Sequence, residues 1–130
     1  MSTIVGPRLG RGQLTFIHDY PASQAALARV KADDPTVAAR FELYLDGVEL
    51  ANGFHELSDA AEQRQRFERD LAERRARGLD TPPLDERLLA ALAAGLPDCA
   101  GVAVGFDRVV MAAANARRIE QVIAFPADRA

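Results

Sequence analysis

Apolar and polar residues alternate through Arg40–Leu45 and again after Val48, and Asp46-Gly47 separates the two runs. Alternating runs joined by Asp-Gly predict a β-hairpin, because its tight turn needs positive φ at the centre. A two-residue turn sets Leu45 opposite Val48, Tyr44 opposite Glu49 and Glu42 opposite Ala51. Side chains alternate between the faces of a strand. Leu43, Leu45, Val48 and Leu50 therefore share an apolar face, and Glu42, Tyr44 and Glu49 share the other. Glu42 and Glu49 become diagonal neighbours within the reach of long side chains. The run Gly101–Phe106 has the same period. It predicts a strand with Val102, Val104 and Phe106 turned toward a core, and with Gly101, Ala103 and Gly105 forming a face almost without side chains. A helix over Asp107–Asn115 follows, with Asp107 as its N-cap and Arg108 near its start.

Elsewhere the pattern predicts a flexible lead over residues 1–13, a strand over Leu14–His18 ended by Pro21, and a loop or short helix over Ala22–Val30. Asp59-x-x-Glu62 is a capping-box-like start for a helix reaching about Arg77, where Gly78 stops it. Thr81-Pro82-Pro83 connects to a second helix over Asp85–Ala94, closed by Gly95 and Pro97. In the first helix Phe67 and Leu71 lie four apart and are predicted to pack on the sheet. Its arginines are interleaved with Glu62, Glu68, Asp70 and Glu73, which predicts a solvated mixed-charge face rather than an RNA-binding surface.

Composition narrows the classes. At 130 residues and 48% hydrophobic, the chain can bury a core of its own as one domain. A net charge of −3 gives no general attraction to nucleic acid. The single cysteine excludes an internal disulfide, and Cys99, at a predicted strand start, reads as a buried structural thiol. His18 and His55 lack the spacing of zinc ligands. No apolar run marks a secretory signal or a bilayer span, so a cytoplasmic setting is expected.

The chemistry gathers on the hairpin and on the glycine-bearing strand. Two carboxylates on one face repel unless a cation lies between them, and Mg²⁺ is usually held by one or two carboxylates plus substrate phosphates. An ordinary solvated sheet face would carry the same letters. Glycine inside a strand often marks close approach by a ligand or another backbone, and the planar fork of Arg108 suits phosphate. A packed strand followed by a capped helix is the alternative there. His55 is either a hydrogen-bonding support beside Glu56 or a partly exposed loop histidine.

Gly101–Arg108 resembles motif 3 of the class II aminoacyl-tRNA synthetases, and the chain is similar to the C-terminal part of their catalytic domain of the lysyl type. Tyr20-Pro21-Ala22-Ser23-Gln24-Ala25, Glu49–Leu57 and Pro97–Ala103 more closely resemble the family of elongation factor P–(R)-β-lysine ligases, paralogues of the lysyl enzymes. The resemblance runs from about Leu14 to the end. It implies an α+β fold, a partial class II synthetase-like antiparallel sheet flanked by helices. It also implies ATP and Mg as cofactors, and β-lysine or lysine and elongation factor P as substrates. Arg108 is then the catalytic, ATP-contacting arginine, and Glu42, Leu43 and Gly105 contact ATP. Glu42 and Glu49 hold the metal. Glu49 also serves the substrate, and Asn52, Glu56 and Ala103 line the amino-acid side. Lysyl-tRNA synthetases usually carry glycine where Ala51 and Ala103 stand and tend to carry serine in place of His55, which favours the ligases. One added methyl on a pocket floor discriminates substrates by about 1–3 kcal/mol.

The class also uses a motif 1 and a motif 2, and neither is found in this sequence. The resemblance therefore implies a catalytic-domain fragment that by itself adenylates poorly, because much of the charge stabilisation at the transferring phosphate is missing. Two other readings stay open: the same portion of a lysyl-tRNA synthetase, acting on tRNA, and a non-catalytic interaction module. The exposed strand edges of such a piece predict self-association.

Overall fold

The computed structural model describes residues 4–126. Four strands, β1 (Thr15–Pro21), β2 (Val37–Leu45), β3 (Val48–His55) and β4 (Ala100–Val104), form one antiparallel sheet in sequence order. Three helices complete the fold: α1 (Ala60–Ala76), α2 (Glu86–Ala94) and α3 (Phe106–Ala113). With an antiparallel sheet and three helices, the fold is α+β. The chain divides into two compact units. One holds residues up to Tyr20, Arg40–Gly53 and Val102 onward, and the other holds Pro21–Ala39 and Phe54–Gly101.

In the first unit, β2 and β3 turn through Asp46 and Gly47, whose φ values of 46° and 79° are both positive. This is the geometry Asp-Gly favours, and it fixes Leu45 and Val48 as the flanking residues. Residues of the expected lead lie on this turn. The Asp46 and Gly47 N–H groups donate to the carbonyls of Gly10 and Leu9 at 2.7 and 2.8 Å, and the Gly12 N–H donates to Asp46 Oδ1. Tyr20, Tyr44, Leu50 and Ala51 are buried here, and the rings of Phe16 and Phe41 meet at 5.7 Å.

Two expectations in this unit are corrected. Val102, Val104 and Phe106 do not face a core in this chain; they are 56%, 53% and 73% exposed. Alternation decides which side a residue takes, but not whether anything covers that side. The helix after β4 starts one residue early: Gly105 is the N-cap, and Asp107 lies within the first turn without capping it.

In the second unit, Ala25, Ala28 and Ala38 form a small core with Val30 and Phe54 packed against it. The segment Ala22–Val30 makes one 3₁₀ turn at Ala22–Gln24, then pairs singly, Ala28 with Glu56 and Val30 with Ala38. Both helix starts follow their sequence signals. Asp59 Oδ1 accepts from the N–H groups of Ala61 and Glu62, and Asp85 Oδ1 accepts from that of Leu88. Gly78 and Gly95 follow the two helices with positive φ.

The buried face of α1 differs from the expected one. It presents Gln63 and Arg66, whereas Phe67 and Leu71 share a groove with Pro82, Pro83 and Leu84. Arg66 is 7% exposed. Its guanidinium donates to the carbonyls of Ala26 and Ala28 and to Glu62, so it leaves the mixed-charge face predicted for the helix. Cys99, expected to be buried, is half-buried. No helix among the described residues is long and apolar enough to cross a membrane.

Candidate functional site

The polar face of the hairpin belongs to the first unit, and Glu42 is its centre. Glu42 is not an open surface carboxylate; it is buried. Oε1 accepts from Arg40 at 2.5 Å and Oε2 from the Tyr44 hydroxyl at 2.5 Å. The Arg40 guanidinium lies over the Tyr20 ring, 4.5 Å from its centroid, a cation–π arrangement. The Tyr20 hydroxyl is buried beside the same carboxylate and closes no hydrogen bond of normal geometry among the described residues. Burial is the largest influence on the Glu42 carboxyl and pushes it up. The two tyrosine hydroxyls and Arg40 together outweigh burial and hold it below the usual carboxylate range. Burial, followed by the hydrogen bond to Glu42 and then its charge, pushes the Tyr44 phenol up to about 12.

Glu49 is half-buried and lines one cavity with Tyr44, Gly47 and Arg108. Asn52 departs from strict alternation. Counting from the turn, it would take the side of Leu50, yet its Oδ1 accepts from Arg40 Nε at 3.3 Å. Arg40 thus joins Glu42 to Asn52. Leu43 lies half-buried between Glu42 and Tyr44 on β2. Arg108 extends from the first turn of α3, and one arm of its fork donates to the Glu49 carbonyl at 2.7 Å. The Gly105 N–H is taken by the Leu50 carbonyl at 2.9 Å, and the missing side chain of Gly105 leaves room for the stem of Arg108. Ala103 is exposed on β4.

Glu42 and Glu49 supply oxygen donors of the chemical kind that magnesium takes. Arg40 and the Tyr44 hydroxyl occupy one acceptor site on each Glu42 oxygen, and the Tyr20 hydroxyl lies beside the same carboxylate. Those residues include no group of three or more His, Cys, Asp or Glu side chains that would hold a metal alone. Two carboxylates would leave most of the coordination shell to phosphate and water.

Glu56 belongs to the second unit. Its N–H donates to the Cys99 carbonyl at 3.0 Å, and its carbonyl accepts from Arg29 Nε at 2.6 Å. Arg29 also donates to Ser58 Oγ and pairs with Asp98 at 3.0 Å. Asp98 Oδ1 meets His55 Nε2 at 2.7 Å. The His55 hydrogen bond, followed by the charge of Arg29, holds the Asp98 carboxyl below its ordinary value. Gly101 stands beside Glu56, where a Cβ would collide with Oε1.

Sequence reasoning singled out Glu42, Glu49, Asn52 and Glu56, but not Arg40, Tyr20, Arg29 or Asp98. Tyr20 and Asp98 lay within segments noted for other reasons. The two arginines carried no local signal, because much of what they bind is distant along the chain.

Residues 9–129 match the family model of class II tRNA synthetases (D, K and N). The chain is 59% identical over 126 residues to elongation factor P–(R)-β-lysine ligases of Salmonella dublin, Salmonella paratyphi B and Salmonella heidelberg. The matched stretch covers 97% of this chain and 39% of each relative, so the chain spans about two fifths of their length.

Proposed function

This chain belongs to the family of class II tRNA synthetases (D, K and N), and from that premise we propose that it is the motif 3 portion of an ATP-dependent ligase. The ligase adenylates lysine or β-lysine and transfers it to elongation factor P. The substrate carboxylate attacks the α-phosphorus of ATP, and pyrophosphate leaves. The acceptor amine of elongation factor P then attacks the activated carbonyl, and AMP leaves.

The observation that carries the reading is the arrangement around Glu42. The carboxylate is kept ionised by Arg40 and two tyrosines, and Glu49 and Arg108 line a cavity with Tyr44, its direct hydrogen-bond donor. In this reading the free arm of the Arg108 fork donates to a phosphate oxygen, and Leu43 and Gly105 contact ATP through their backbone. Glu42 and Glu49 would hold a magnesium ion, which would supply neutralisation of phosphate charge. Asn52 and Ala103 are assigned to the amino-acid substrate, and Glu56 to its side-chain ammonium group. The curated relatives named as β-lysine ligases support elongation factor P as the acceptor. A cytoplasmic setting is part of the proposal, and so is self-association through the exposed Val102, Val104 and Phe106.

Mg-ATP titration of the chain, followed by NMR, tests the reading. Glu42, Glu49 and Arg108 should move together at millimolar nucleotide, and Arg108→Ala should weaken binding about tenfold, the scale of one charge-assisted hydrogen bond. Nucleotide shifts that avoid all three residues would refute it.

A further inference from the structure

Just past the end of β3, the Glu56 backbone is bonded through both its N–H and its carbonyl, and the side chain that takes the carbonyl is Arg29. We infer that Arg29 is the positioning residue for Glu56, fixing where its carboxylate meets the substrate ammonium; the inference rests on the role proposed for Glu56. Three observations define the arrangement. The Glu56 backbone is pinned from both sides, by the Cys99 carbonyl on its N–H and by Arg29 Nε on its carbonyl. The other two arms of Arg29 meet Ser58 Oγ and Asp98, and His55 shares the same Asp98 oxygen, Oδ1. Gly101 leaves open the space Glu56 Oε1 occupies. With the backbone fixed, only side-chain rotation remains to place the carboxylate, and a carboxylate fixed before the ligand arrives loses less freedom on binding.

The fork is what matters, rather than the charge. Arg29 reaches a carbonyl, a hydroxyl and a carboxylate at once through separate nitrogens. A lysine ammonium is a point charge on a flexible stem and cannot span the three in fixed geometry. Arg29 has no contact with Glu56's own carboxylate among those the structure gives, so its effect is transmitted through the backbone.

The test uses the chain labelled with ¹³C on glutamate carboxyls, with the Glu56 resonance assigned by Glu56→Gln. Without ligand, Arg29→Lys should move the Glu56 resonance toward that of the exposed Glu68. On titration, lysine and (R)-β-lysine should bind Arg29→Lys about tenfold more weakly than wild type. Norleucine, which lacks the side-chain ammonium, should bind both equally, and Mg-ATP affinity should stay within about twofold. A merely structural loss would weaken norleucine as well. An unmoved Glu56 resonance together with unchanged amine affinity overturns the inference. If neither amine moves Glu56 in the wild type, the substrate reading fails, while the ligand-free comparison still decides on Arg29. Should Arg29→Lys lose its dispersed spectrum, Asp98→Asn, which loosens the fork without removing it, gives the same readouts.

Discussion

Tyr44→Phe removes one hydroxyl and keeps the ring. In the folded chain that hydroxyl donates to Glu42 Oε2 at 2.5 Å, and both residues are buried. A hydrogen bond to a charged group contributes about 1.5–3 kcal/mol. Arg40 stays on Oε1, so the carboxylate is not left without a counter-ion. The expected loss is therefore about 2 kcal/mol, in the middle of that range. With a urea m value of about 1–3 kcal/mol/M, the unfolding midpoint falls by roughly 1 M. The pH dependence has a definite sign. The Glu42 carboxyl lies below its ordinary value when folded, so its contribution is present above the unfolded value and is lost as pH falls through the folded one. The Tyr44 phenol, pushed up to about 12, remains a donor throughout. The penalty should be full near about pH 7 and shrink below about pH 4. Urea unfolding followed by circular dichroism at both ends of that window, with Glu42→Gln completing a double-mutant cycle, measures it. A penalty under about 0.5 kcal/mol at neutral pH, or one of equal size in acid, would refute the reasoning.

Arg66→Met should destabilise the second unit by about 2–4 kcal/mol, mainly because it leaves the Ala26 and Ala28 carbonyls without their donor; thermal unfolding reads this. Asp59→Ala leaves two N–H groups of α1 without their cap and should cost about 1 kcal/mol in the same measurement, with Asp59→Asn recovering most of it. Gly47→Ala forces a Cβ onto a φ of 79° and within 3.0 Å of the Pro7 backbone. It should cost about 1–2 kcal/mol or more, and faster amide exchange at Asp46 and Gly47 would locate the damage.

The hairpin and the helix starts were legible because their causes are local. Asp46-Gly47 selects its turn, and Asp59 and Asp85 cap whichever helices follow them. The same holds for Glu42, Tyr44 and Glu49, whose grouping needs only a turn and a period of two. What was hidden depends on tertiary partners. Arg66 reads as one more arginine on a charged helix until Ala26 and Ala28 supply its acceptors. Arg29 and Arg40 are likewise anonymous until Glu56, Asp98 and the Tyr20 ring are brought to them. Val102 and Val104 fail in the opposite direction, because a period of two sets the side of β4 they take and not what covers that side, and Phe106 opens α3 instead of ending the strand. Asn52 shows that counting from a turn loses force within a few residues.

Residues 9–12 clasp the hairpin tip from a position 34 residues away along the chain in the case of Gly12 and Asp46. Trimming a polypeptide to its regular elements is a common first step toward crystals, and here it would suggest starting near Leu14. Such a chain would keep every strand and lose the clasp, handing the Asp46 and Gly47 donors to water. A strand pair that slips by one residue exchanges its two faces. Four residues of irregular backbone thus help keep Glu42 on the buried side of its own hairpin, and a trimmed chain could misreport the site while still looking folded.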